Sequence, residues 1–180
     1  MTPRVLIPAL TLTLLTGALG LSSQSATGAE AQNNRLDLVD DAGHIRKPQN
    51  YRDRYQVLGA YTVLNPQGNE MHYTYASPGA AEYYRKNGQF ADGTVLVKEV
   101  LATSHAQLTT GDAHWATDPK VWFVMIKDAK GRFPGNPLWA DGWGWALFKA
   151  DAPDKQVATD HSKDCLGGHI PAKSTDWIYV

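Results

Sequence analysis

Val121-Trp122-Phe123-Val124-Met125-Ile126 is an unbroken apolar run of strand length, and it constrains the fold more than any other stretch. A half-buried strand alternates apolar with polar residues. A run with no polar residue reads instead as a buried central strand. Other strands must flank it, and the chain supplies candidates. Tyr55 to Leu64 is rich in β-branched and aromatic residues and ends at the turn signal Asn65-Pro66-Gln67-Gly68. His72 to Ala76, Thr94 to Thr103 and Trp143 to Phe148 read the same way, and Trp177 to Val180 looks like the start of a last strand. Ser77-Pro78 has the chemistry of a helix start and Gly88 that of its end. Lys155 to His169 reads as a second helix, weakened at Gly167-Gly168, and Asp128 to Gly142 reads as a loop. The class expected is α+β, with a mostly antiparallel sheet and two or so helices.

Residues 1–31 read as an export signal. Arg4 is the positive start, Val5 to Leu21 an uncharged, mostly apolar run, and Ala29-Glu30-Ala31 a cleavage site. Residues 32–49 read as a linker and N-terminal extension, and 50–180 as the folded domain. The mature protein is therefore expected in the periplasm or outside the cell, with no membrane attachment after signal removal. The formal charge of -1 gives no basic field for nucleic acid.

Cys165 is the single cysteine, so an intramolecular disulfide is excluded and the thiol needs another use. It stands four residues before His169, in Cys165-Leu166-Gly167-Gly168-His169. That is the C-x-x-C-H spacing of c-type haem attachment with glycine in the place of the second cysteine. In such a motif the thiols form thioethers to the haem and the histidine ligates the iron. Cys165 and His169 are thus the candidate cofactor-binding residues, and His169 the candidate iron ligand. A second reading stays open: His161, Cys165 and His169 would share one face of an unbroken helix and could hold Zn²⁺ or Cu²⁺.

An ordered set of motifs then resembles a known family. It comprises Asn50-Tyr51-Arg52, Tyr83-Tyr84-Arg85-Lys86-Asn87-Gly88 and the block Phe90-Ala91-Asp92-Gly93-Thr94-Val95-Leu96-Val97-Lys98-Glu99. Lys127-Asp128, Arg132-Phe133, Gly144-Trp145-Ala146 and the Cys165–His169 stretch follow. The set resembles the cytochrome P-460 family, with its cytochrome c′-beta relatives, from about Asn50 to the last residue. The resemblance implies a β-rich domain holding one haem c, usually as a homodimer. The iron face opposite the histidine would be open to a small nitrogenous ligand, nitric oxide or hydroxylamine, and a soluble electron acceptor would serve any oxidation. It also implies a carboxylate on the ligand side at about Asp141, the candidate catalytic residue.

The chain departs from the family pattern in three ways. The enzymes that oxidise hydroxylamine cross-link a lysine between the first two strands to the haem, and no lysine lies between Lys47 and Lys86. One haem cysteine is replaced by Gly168, and the chain stops at Val180, earlier than the pattern, which suggests a shortened C-terminus. The expectation is an exported c-type haem protein that binds ligands rather than oxidising hydroxylamine. The alternative is a haem-free degenerate member acting as a small-molecule-binding or structural module.

Overall fold

The computed structural model of the chain describes residues 37–179. The expected signal, residues 1–31, lies outside them. Among the described residues no helix is long and apolar enough to cross a membrane.

The elements in chain order are helix α1 (Tyr51–Arg54), strands β1 (Gln56–Val63) and β2 (Glu70–Ala76), helix α2 (Ala80–Asn87), strands β3 (Val95–Leu108), β4 (Gly111–Lys127), β5 (Trp139–Ala140), β6 (Trp143–Lys149) and β7 (Ala152–Gln156), and helices α3 (His161–Asp164) and α4 (Leu166–His169). A 3-10 turn, Ile170–Thr175, follows. All strands join one antiparallel sheet in the order β1-β2-β3-β4-β6-β5, with β7 also on β6. The α+β reading therefore holds, with four short helices among the described residues where two or so were expected.

The apolar run sits in the second half of β4, between β3 and β6, and it is central as expected. Successive side chains of a strand point to opposite faces, and both faces are covered here. Val95, Val97, Trp122, Val124, Ile126 and Phe148 pack on one side with Tyr51, Tyr75 and Ile45. Leu96, Met125, Trp143 and Trp145 pack on the other with Ala76, Phe90, Trp177 and Ile178. Val95, Val124, Ile126 and Phe148 are essentially solvent-free. Each such side chain contributes about 1.5–3 kcal/mol of burial, so the sheet core alone carries much of the stability. Ile45 shows that the extension ahead of residue 50 packs against this core, where Trp139 Nε1 donates to the Gly43 carbonyl at 2.8 Å.

Four local expectations are corrected. Ser77 does not cap α2. That helix begins after Gly79, whose φ of 77° turns the chain, while the buried Ser77 hydroxyl accepts from Val95 N at 3.1 Å. Lys155 to His169 is not one helix. Its first residues belong to β7, and the helical part breaks at Cys165 (φ -130°, ψ -45°), while Gly167 and Gly168 lie inside α4. Trp177 does not start a strand, because Asp176 and Trp177 both adopt left-handed backbone, φ 58° and 69°. Finally, β3 and β4 run far past the expected ends, as a ribbon closed by the turn between Leu108 and Gly111.

Candidate functional site

The C-terminal helices and the sheet enclose a cavity of about 370 Å³. Cys165, Gly168 and His169 line one wall, with Ile178 and Tyr179, and the sheet supplies the other through Leu58, Tyr61, Leu96, Lys98, Phe123 and Met125. The Cys165–His169 spacing thus puts thiol and imidazole on one wall, although the helix between them is interrupted at the cysteine.

His169 is held by its own chain. Its Nδ1 lies 2.7 Å from the Trp177 carbonyl. A carbonyl only accepts, so Nδ1 carries the proton and the neutral ring keeps its lone pair on Nε2. Burial lowers the His169 pKa below its ordinary value, with the nearby Lys98 charge adding to the effect and the Trp177 hydrogen bond opposing it. The imidazole is therefore neutral at pH 7, which is the state that binds a metal. Trp145 meets its ring edge-on at 4.9 Å.

The carbonyl that orients His169 is itself fixed. The left-handed pair Asp176-Trp177 turns the chain back toward the histidine. Non-glycine residues in that region cost of order 1–3 kcal/mol each, and the neighbourhood supplies the compensation. Asp176 is ion-paired with Lys127, accepts from Phe90 N at 2.8 Å, and offers its own carbonyl to Trp143 Nε1 at 3.1 Å. The Lys127 and Asp176 side chains are mostly buried, 9% and 11% exposed, and the ammonium also lies 4.7 Å from the Trp143 ring centre.

Lys98 is the residue that the sequence reading did not place in the site. Its ammonium lies over the Tyr61 and Phe123 rings at 5.7 and 5.5 Å. Strand parity held the signal. Val95, Val97 and Glu99 of β3 face the other core, so Leu96 and Lys98 had to face the cavity side. The rest of the Phe90–Glu99 block builds the frame. Phe90 packs on Trp143, Asp92 takes the Arg132 guanidinium, and buried Glu99 pairs with Arg52 and accepts from Trp122 Nε1 at 3.2 Å. Burial, the largest single effect, would raise the Asp92 pKa, but the Arg132 hydrogen bond and charge, the Ala129 amide and the Lys130 charge together outweigh it and hold the carboxyl below its ordinary range. Arg132 is fully engaged by Asp92 and Asp128, as an ion pair.

Asp141 stands at the β5–β6 turn with φ 57° and accepts from His161 Nε2 at 3.0 Å. It is not among the cavity-lining residues; His161 is, in turn, 5.8 Å from Trp145. The break at Cys165 separates His161 from the other two members of the alternative His161, Cys165, His169 metal set, and its Nε2 is engaged by Asp141. A wider hollow of about 490 Å³ opens beside the N-terminal segment, lined by Asp37, Arg46, Lys47, Arg54 and Asp154. It gathers mixed charges, whereas the cavity at His169 brings a histidine and a thiol together.

The donor set fits a haem on a single thioether. A neutral imidazole with Nε2 free, a thiol on the same wall and an apolar facing surface are all present. A Cβ added at Gly168 would meet nothing within 4 Å, so that edge of the cavity is open. A family model described as cytochrome P460 matches residues 48–180. No curated protein matches the chain.

Proposed function

Because the chain belongs to the cytochrome P460 family, whose cofactor is haem, we propose that it is an exported haem c protein. It binds nitric oxide, hydroxylamine or a similar small nitrogenous ligand. Cys165 would hold the haem through one thioether and His169 Nε2 would ligate its iron. The single observation that carries this reading is the His169–Trp177 hydrogen bond, which leaves Nε2 as the open donor of a neutral, cavity-lining ring. When bound, the haem would supply an iron centre for the small ligand.

The chain's own residues do the rest. Trp145 and the Trp177 carbonyl fix the imidazole plane, as outer partners of metal-bound histidines do. Leu58, Leu96 and Met125 keep water from the sheet wall. Lys98 places a positive charge there, suited to the electron-rich end of a bound ligand. Asp141 would accept a proton only through His161, to which it is bonded. Ligand binding is favoured over turnover, because the family's cross-link lysine has no counterpart between Lys47 and Lys86. The family also suggests a homodimer and a soluble electron acceptor.

Expression with c-type maturation factors tests the proposal. The expected product is red-brown, keeps its Soret band on the protein after acid-acetone extraction, and shifts that band on addition of nitric oxide. Peptide mapping should find haem on Cys165 and on no lysine. A colourless protein would sink the reading and favour the haem-free module, to which Gly168 in the second thiol's place already points.

A further inference from the structure

The β3–β4 ribbon leaves the sheet. β2 pairs with β3 only as far as Ala102, and β6 pairs with β4 only from Val121. Between those limits the two strands have only each other, through the register Thr103↔Ala116, His105↔His114 and Gln107↔Asp112. Residues two apart on a strand share a face, so Asp112 and His114 lie together, and the register sets His105 opposite them. The two imidazoles are stacked, 4.9 Å apart and 11° from parallel. Asp112 binds both: Oδ1 is 3.2 Å from His105 Nδ1, and Oδ2 is 3.3 Å from His114 Nε2.

None of this is needed by the fold. All three side chains are substantially exposed, no core residue rests on them, and exposed ion pairs contribute little. Two imidazoles and a carboxylate are instead a donor set for borderline divalent metals. One donor atom from each side chain lies within 4.8 Å of the others. Ligands at about 2.0–2.1 Å around a tetrahedral ion stand about 3.3 Å apart, which matches both Asp112 contacts. The two Asp112 contacts, one through each oxygen, are at that spacing, and the set as a whole, within 4.8 Å, needs only side-chain rotation to close on one ion, with each strand contributing an imidazole.

We propose that His105, Asp112 and His114 form a surface site for a divalent transition-metal ion, Zn²⁺ or Cu²⁺, separate from the haem cavity. The ion bridges the two strands of a ribbon that lacks sheet neighbours. A two-stranded ribbon is only marginally stable alone, and an ion bound by both strands stabilises the paired form. Three protein donors leave a further coordination position for water or an incoming ligand. Cu²⁺ should bind more tightly than Zn²⁺, and Ca²⁺ and Mg²⁺, which require oxygen donors, should not bind.

Titration calorimetry of the untagged protein with ZnCl₂ and CuCl₂ tests this. The Cys165→Ser variant is run in parallel, to separate binding at the ribbon from any binding at the cavity thiol. One equivalent is expected to bind in the parent and in Cys165→Ser alike. His105→Ala, His114→Ala and Asp112→Asn should each weaken it at least about tenfold, with unchanged circular dichroism. Hydrogen exchange of amides 103–118 should slow on addition of Zn²⁺ to the parent and not to His114→Ala. The proposal is overturned by no binding to the parent at millimolar ion, by loss of binding only in Cys165→Ser, or by equal binding in the parent and both histidine variants. It stands whether or not the haem reading does.

Discussion

His169 Nδ1 donates to the Trp177 carbonyl at 2.7 Å, so the residue that would ligate iron is oriented by a turn eight residues downstream. The turn and the cavity wall are one construction. His169→Ala should therefore remove the ligand without removing the fold, whose apolar cores lie in the sheet. Far-ultraviolet circular dichroism should be retained, while the histidine-ligated haem spectrum should be lost. Added imidazole should restore part of it. A variant spectrum identical to the parent's would mean that another residue is the ligand.

Asp176 is the pivot of that turn. It joins the buried Lys127 ammonium, the Phe90 amide and the Trp143 indole in one place. Removing one member of a buried ion pair leaves the other charge uncompensated, at about 3–5 kcal/mol. Asp176→Ala should thus lower the urea midpoint by that equivalent, and the haem-loaded variant should show a heterogeneous ligand field. An exposed ion pair elsewhere, broken by Glu82→Ala, should cost less than about 1 kcal/mol. Equal losses in the two variants would contradict this account of the turn.

Gly168 offers a direct gain-of-function test. An added Cβ there meets no atom within 4 Å, and the residue lines the cavity beside Cys165. Gly168→Cys should therefore fold and raise covalent haem content during expression with maturation factors, read by pyridine haemochrome absorbance per protein. Gly144 is the contrast, since a Cβ there would fall 2.6 Å from the Trp139 ring. Gly144→Ala should lower stability and haem yield together. Unchanged haem yield in Gly168→Cys would show that the missing thiol does not limit attachment.

Much of this was legible because strand periodicity and motif spacing are local properties. The apolar run of β4 announced a central strand, and Trp143 and Trp145, two apart, do share a face and a core. Cys165 and His169 do line one cavity, a fact their spacing carried. What stayed hidden depends on register and on tertiary override. Ser77 has a capping residue's chemistry, but the amide of Val95 takes its hydroxyl. Trp177 to Val180 reads as strand-like in isolation, while Lys127, forty-nine residues before Asp176, holds Asp176-Trp177 as a turn. His105 and His114 are nine apart, with no motif between them, and only the pairing register of a long hairpin stacks them.

Stability should fall as the pH drops below about 6.5, and two histidines give the sign. Burial lowers the pKa of His72, and the Lys98 and Lys120 charges add to this, against Glu70, which raises it. Burial likewise lowers that of His169. A histidine with a depressed folded pKa binds its proton more readily in the unfolded chain. Its contribution is full above the ordinary value of 6.5 and is lost as the pH falls from there toward the folded value. The slope is at most about 1.4 kcal/mol per pH unit for each imidazole. Urea midpoints taken between pH 8 and 5 on protein without haem should therefore decline from near neutrality. The decline should shrink in His72→Gln, by one imidazole's share. Lys98 lowers both pKa values, so Lys98→Met should move both titrations upward when followed by the ring-proton shifts in NMR. If neither moved, the cavity cation would be too well solvated to act on the imidazoles, and its proposed influence on a bound ligand would fall with it.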